Sequence, residues 1–184
     1  MITRFLWLIL LLWANVSPAG AQSTSPVFSQ WLDAARNGDT TLLSKLWLDQ
    51  PTLLGEKDSR GSDALILATY YGHLPAVTWL LGKGADTKST DLSGNTALMG
   101  ALFRQHEAIA RYLVTHGADI NQRNFQEATA MHFAVIFSPD SLVLWLLEKG
   151  GDANLVDRFG TSVFQQAEIQ GRSYLFNNSV PNKP

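Results

Sequence analysis

The sequence predicts an all-α fold: a solenoid of stacked helix-turn-helix units joined by β-hairpin-like turns. Three observations predict it. Gly84-Ala85-Asp86 returns as Gly117-Ala118-Asp119 and again as Gly150-Gly151-Asp152, a step of 33 residues both times. The surrounding columns keep that step, as in Asp58, Asp91, Asn124 and Asp157, or Ala68, Ala101, Ala134 and Ala167. Each cycle also reads as two short apolar segments punctuated by turn residues. A fixed period of this length marks a repeat architecture. A helix pair this short cannot bury its own apolar face, but stacked neighbours can.

Composition narrows the function classes. The chain has 184 residues, 46% of them hydrophobic, which is too apolar for general disorder. Its formal net charge of −2 argues against a nucleic-acid binder, which shows a basic stripe. There is no cysteine, so disulfides, thiolate metal sites and cysteine nucleophiles are excluded. Only 16% of residues are charged, against about 25% in a typical domain. Much of the surface is therefore neutral or apolar, which points to contact with another molecule.

Taken in order, residues 1–21 read as a secretory signal peptide. Arg4 precedes the apolar run at 5–14, and the small triplet Ala19-Gly20-Ala21 supplies a cleavage site. Ten apolar residues are too few for a membrane span, which needs about 20. Cleavage leaves 163 residues and takes the formal charge from −2 to −3. The expected mature protein is exported, periplasmic or secreted, with no stable membrane insertion. Export without cysteine fits a bacterial periplasm better than a disulfide scaffold.

Residues 22–176 form the expected repeat domain. Its N-terminal cap spans 25–57, with one extra residue in the loop holding Pro51. Full repeats follow at 58–90, 91–123 and 124–156, then a C-terminal cap at 157–176 and a flexible tail at 177–184. Within the first full repeat, one helix is expected over 63–71, ended by Gly72. The second is expected over 75–82, with Pro75 at its start, where a missing N–H costs nothing. Gly84 closes the pair.

These residues resemble the ankyrin repeat. Asp91-Leu92-Ser93-Gly94-Asn95-Thr96-Ala97-Leu98 supplies the turn and first-helix start of that family's pattern. Gly72-His73, Leu80-Leu81 and Gly117-Ala118-Asp119-Ile120-Asn121 supply the remainder. The chain departs from the family at its proline column, which holds Ala64, Ala97, Ala130 and Val163. The family's structural histidine occurs once, at His132.

No catalytic constellation is legible. His73, His106, His116 and His132 match no metal-binding pair at helical spacing, and no nucleophile or phosphate-loop motif occurs. All four histidines read as structural; His116 sits at a helix end, where it can cap carbonyls. Asp86, Asp119 and Asp152 read as turn-formers, with a cation column as the weaker alternative. Trp79, Tyr112 and Trp145 read as packing between repeats. No cofactor and no metal is expected, and the protein is expected not to be an enzyme.

The resemblance does imply a binding surface. In the family, partners meet the turn tips and the exposed ends of each first helix. Carried onto this sequence, those positions give Arg60, Tyr70, Tyr71, Leu92, Phe103, Arg104, Phe125, Gln126, Ile136, Phe137, Arg158 and Phe159. Aromatics and arginine dominate interface hot spots. The first helix-end positions, Tyr70, Phe103, Ile136 and Ile169, have an equally weighted alternative as core, whereas Phe125 and Phe159 are hard to bury.

The expected function is therefore a non-catalytic protein-binding module, acting as an inhibitor, immunity or accessory partner of another exported protein. The resemblance extends to exported bacterial ankyrin proteins that accompany an enzyme or neutralise a toxin. The alternative is a stress-protective, chaperone-like factor for an exported enzyme such as a catalase. A monomer is expected when the protein is free.

Overall fold

The computed structural model describes residues 25–176. The expected signal peptide at 1–21 and tail at 177–184 lie outside the described residues. The helices come in consecutive pairs: α1 (Pro26–Asn37) with α2 (Thr40–Asp49), α3 (Ala64–Tyr70) with α4 (Leu74–Gly82), α5 (Ala97–Phe103) with α6 (Glu107–Thr115), and α7 (Ala130–Phe137) with α8 (Asp140–Glu148). Helix α9 (Val163–Ile169) is paired only with a 3-10 turn at Ser173–Phe176. Among the described residues there is no β-strand. Two isolated antiparallel bridges, Thr90 to Thr96 and Val156 to Ser162, mark the hairpin-like turns.

Each first helix begins on a side chain that satisfies an otherwise orphaned N–H. The Ile66 N–H donates to Asp63 Oδ1 at 2.9 Å, the Met99 N–H to Thr96 Oγ1 at 3.3 Å, and the Gln165 N–H to Ser162 Oγ at 3.1 Å. In the third repeat His132 does this work in reverse. The Thr129 N–H donates to His132 Nδ1 at 3.1 Å, so Nε2 carries the ring proton and donates to Thr161 O at 3.2 Å. Burial holds the His132 pKa below its usual value, favouring the neutral ring that this arrangement requires.

The alanine columns explain the stacking. Ala64, Ala97 and Ala130, and Ala68, Ala101, Ala134 and Ala167, are all buried where successive first helices meet. Small side chains let those helices approach closely. Leu65, Leu98 and Met131 on the first helices and Leu80, Leu113 and Leu146 on the second are buried in the same core. Neighbouring first helices pack against one another more extensively than neighbouring second helices do.

Both ends are closed by aromatic residues. At the N-terminal end, fully buried Trp31 meets Trp79 edge-on at 6.4 Å, and Trp79 in turn meets Trp47 at 6.1 Å. The loop with the extra residue winds into a 3-10 turn at Pro51–Gly55 and buries Leu53. At the other end Phe176 packs edge-on against Phe164 at 5.8 Å. The closing turn is tied down through Asp140, which accepts from Tyr174 Oη at 2.7 Å and pairs with Arg172. Those two donors hold the Asp140 carboxyl below the usual carboxylate range, Tyr174 first.

Candidate functional site

The hairpins that carry the tip residues are built on one acceptor each. Asp58 Oδ1 accepts the Arg60 and Ser62 N–H groups, both at 2.9 Å. Asp91 Oδ1 accepts those of Ser93 and Asn95 at 2.8 Å, and Asn124 Oδ1 those of Gln126 and Ala128 at 2.9 and 3.0 Å. Asp157 Oδ1 accepts those of Phe159 and Thr161 at 2.9 and 3.0 Å. The side chain thus mimics a backbone acceptor and fixes the turn. Below these hairpins, Asn124 Nδ2 donates to Asn95 Oδ1 at 2.8 Å, a buried link from one repeat to the next.

The hairpins are also joined tip to tip. The Leu92 N–H donates to Arg60 O at 2.8 Å, that of Phe125 to Ser93 O at 3.0 Å, and that of Arg158 to Gln126 O at 2.9 Å. Because this bond recurs in the same register, the four tips form one continuous ridge. Arg158 reinforces it by donating from Nη1 to Gln126 Oε1 at 2.9 Å. Side chains on the ridge project from a fixed backbone. Leu92 is 64% exposed, Phe125 68% and Phe159 61%, too open to be counted as core. Arg60 and Arg158 are exposed beside them, and Gln126 is half-buried.

The helix ends behave differently. Tyr70, Phe103, Ile136 and Phe137 are half-buried, and the last three pack against the core. Phe103 and Phe137 meet edge to face at 5.2 Å across neighbouring repeats. Tyr70 meets Tyr71 at 5.5 Å, while the Arg104 guanidinium lies 4.8 Å from the Tyr70 ring centre. Tyr71 and Arg104 remain exposed. All twelve candidate residues thus retain some surface. They fall into a projecting ridge and a lower, partly packed floor.

Ile169, in the same column as Tyr70, Phe103 and Ile136, is 54% exposed because no further repeat covers it. The sequence signal for it is only its position in the last unit.

The histidines hold the stack together. His73 Nε2 meets Arg36 O at 2.8 Å, and His106 Nε2 meets Tyr70 O at 3.2 Å. Each ring lies over a glycine of the preceding repeat. A Cβ on Gly72, at φ +85°, would fall 2.8 Å from His106 Cε1. In the last unit Arg172 occupies the same column and donates from Nη1 to Val135 O at 2.8 Å. His116 Nδ1 meets Tyr112 O at 2.8 Å, and its ring stacks on Tyr112.

Asp86, Asp119 and Asp152 each accept an N–H two residues on, at 2.8 Å. Among the described residues no group of three or more potential ligands is placed to hold a metal ion. No described helix is long and apolar enough to cross a membrane. Trp79 and Trp145 are half-buried on the second helices, with Lys83 near Trp79 at 5.6 Å and Arg111 over Trp145 at 4.7 Å.

Comparison with known families agrees with this geometry. A family described as ankyrin repeats in three copies matches residues 31–124, more than half of the chain. The chain belongs to the ankyrin-repeat family. A second description, ankyrin repeats in many copies, matches residues 109–167 and so carries the assignment through the third repeat into the last unit. No curated protein matches the chain. Ankyrin repeats generally mediate protein–protein interaction, and ankyrin-repeat proteins are generally non-catalytic binding modules.

Proposed function

We propose that this ankyrin-repeat protein is an exported, non-catalytic module that binds one partner protein through its hairpin ridge and the adjoining helix ends. Its role is that of an inhibitor, immunity protein or accessory factor. The observation that carries this reading is the display of Leu92, Phe125 and Phe159. Three large apolar side chains stand more than half exposed on a backbone locked by side-chain acceptors and cross-repeat bonds. Monomeric proteins rarely expose such a row without use. A pre-organised backbone also lowers the ordering cost of binding. Export rests on the pattern of residues 1–21.

The test is co-purification of the tagged protein from the exported fraction, followed by affinity measurement with the partner so identified. The variant Phe125→Asp/Phe159→Asp should weaken the complex by about a hundredfold or more, as loss of central aromatic anchors does. Its circular dichroism and urea midpoint should stay as in the parent. Unchanged affinity removes this surface from the interface. Weak capture of many clients, insensitive to both substitutions, would favour the stress-protective role instead.

A further inference from the structure

The seven described arginines divide into two groups. Arg36 pairs with Asp33 and Asp58, Arg111 with Glu107, Arg123 with Glu127, and Arg172 with Asp140. The other three, Arg60, Arg104 and Arg158, have no carboxylate partner among the described residues. These three are also the arginines at the tip and helix-end positions. Arg104 rests on a Tyr70 ring, Arg158 donates to a neutral amide, and the Arg60 backbone supports Leu92. At the four tip pairs and four helix-end pairs, from Ser59 to Gln170, there is no aspartate, glutamate or lysine. The acids of the hairpins themselves are turned inward to the backbone: Asp58, Asp91 and Asp157 each accept two hairpin N–H groups, and Asp58 also pairs with Arg36. Glu127, two residues past the Phe125 tip, is bound to Arg123 at 2.9 Å.

This distribution is the opposite of what the overall formal charge of −2 would suggest. Guanidinium groups lose hydration when a partner covers them. Each then needs an anionic acceptor within the interface. Carboxylates fit that need in bidentate geometry.

We infer that the surface receives an acidic segment of its partner, with carboxylates opposite Arg60, Arg104 and Arg158 and large apolar side chains opposite Leu92, Phe125 and Phe159. The inference rests on the binding surface proposed above and assigns the chemistry of what fills it. A nucleic acid would also bring anions, but three separated arginines on a net-acidic chain make a poor phosphate track.

The test uses the whole protein as bait for a random peptide library displayed on phage. Enriched peptides are then measured by fluorescence polarisation at low and high salt. The expected winners combine Asp or Glu with Phe, Trp or Leu, and bind more weakly as salt rises. They should lose about a hundredfold in affinity on Arg60→Gln/Arg104→Gln/Arg158→Gln, a variant whose fold is checked by circular dichroism.

Neutral or basic winners, winners indifferent to those three substitutions, or no enrichment at all would overturn the inference. So would arginine-dependent binding of single-stranded DNA without acidic winners. Non-acidic winners that nonetheless fail on Phe125→Asp/Phe159→Asp would leave the binding surface standing and remove only its charge preference. Winners indifferent to both variants would remove the surface itself.

Discussion

Phe125 lies across Gly94. A Cβ at Gly94 would fall 2.8 Å from Phe125 Cδ1 and 2.8 Å from its backbone nitrogen, and Gly94 itself sits at φ +78°. The glycine is thus required twice, once by its own left-handed backbone and once by the ring and amide of the next hairpin. The ring it supports is among the most exposed large apolar groups in the protein. The ridge is held from beneath while its upper face stays open.

Gly94→Ala should therefore be costly where Phe125→Asp is not. The left-handed backbone alone costs an L-residue about 1–2 kcal/mol, and the crowded Cβ adds about 1–3 kcal/mol. The expected total loss is about 2–5 kcal/mol, read as a lower urea midpoint. Phe125→Asp alters only the exposed side and should change stability by less than about 0.5 kcal/mol. A Gly94→Ala protein that unfolds at the parental midpoint would contradict the packing described.

His132 should make the fold sensitive to mild acid. Its Nδ1 accepts from the Thr129 N–H, so a second ring proton would face a donor. Burial already holds its pKa below the usual 6.5. In the unfolded chain the ring binds a proton below about pH 6.5, while the folded ring resists. This contribution is complete above that pH and declines as pH falls from there toward the lowered folded value. His132→Gln keeps the acceptor, as Gln165 Oε1 shows by accepting the Ser162 N–H at 2.8 Å. The variant should lose about 1 kcal/mol at neutral pH with the missing Thr161 bond, and its stability should vary less across this range. Urea midpoints on either side of the transition decide the matter; equal slopes for the two proteins would refute it.

Asp63 should act in the opposite direction. It caps α3 from a buried position, and burial pushes its carboxyl above the ordinary 3.8 despite the bond from Ile66. A raised folded pKa favours the protonated form. The stability linked to that form is present below pH 3.8 and lost as pH rises through the elevated value. The other repeats place Thr96, Thr129 and Ser162 in this column. Asp63→Thr retains an oxygen for the Ile66 N–H and removes the buried charge. It should stabilise the protein at neutral pH by on the order of 1 kcal/mol, with the gain fading in acid. Urea unfolding at the two pH values checks this, and no gain at neutral pH would reject it.

Much of the architecture was legible because it repeats. The expected helices at 63–71 and 75–82 appear as Ala64–Tyr70 and Leu74–Gly82, since Asp63 serves as a cap and Leu74 joins the turn ahead of Pro75. The alanine columns were legible as part of the period, but their burial between successive first helices was not, because it depends on the neighbouring unit. The extra residue near Pro51 was visible as a break in register, but its 3-10 turn was not, because winding there depends on a place to bury Leu53. The histidine column was legible as structural. Its function as a staple onto the preceding repeat's carbonyls was not, and Arg172 could not be recognised as its replacement.

The sequence by itself determined the repeat step, the helix pairing and the residues that reach the tips and helix ends. Those features follow from local periodicity, capping and turn chemistry, which act within one unit. Only the tertiary structure decided which aromatic rings stay open. Phe103 and Phe137 have the same side chain as Phe125 and Phe159, yet their helix ends abut those of neighbouring units, so the rings close on each other at 5.2 Å. At the hairpin tips neighbouring units meet through backbone bonds. That contact satisfies the main chain and leaves Phe125 and Phe159 facing solvent.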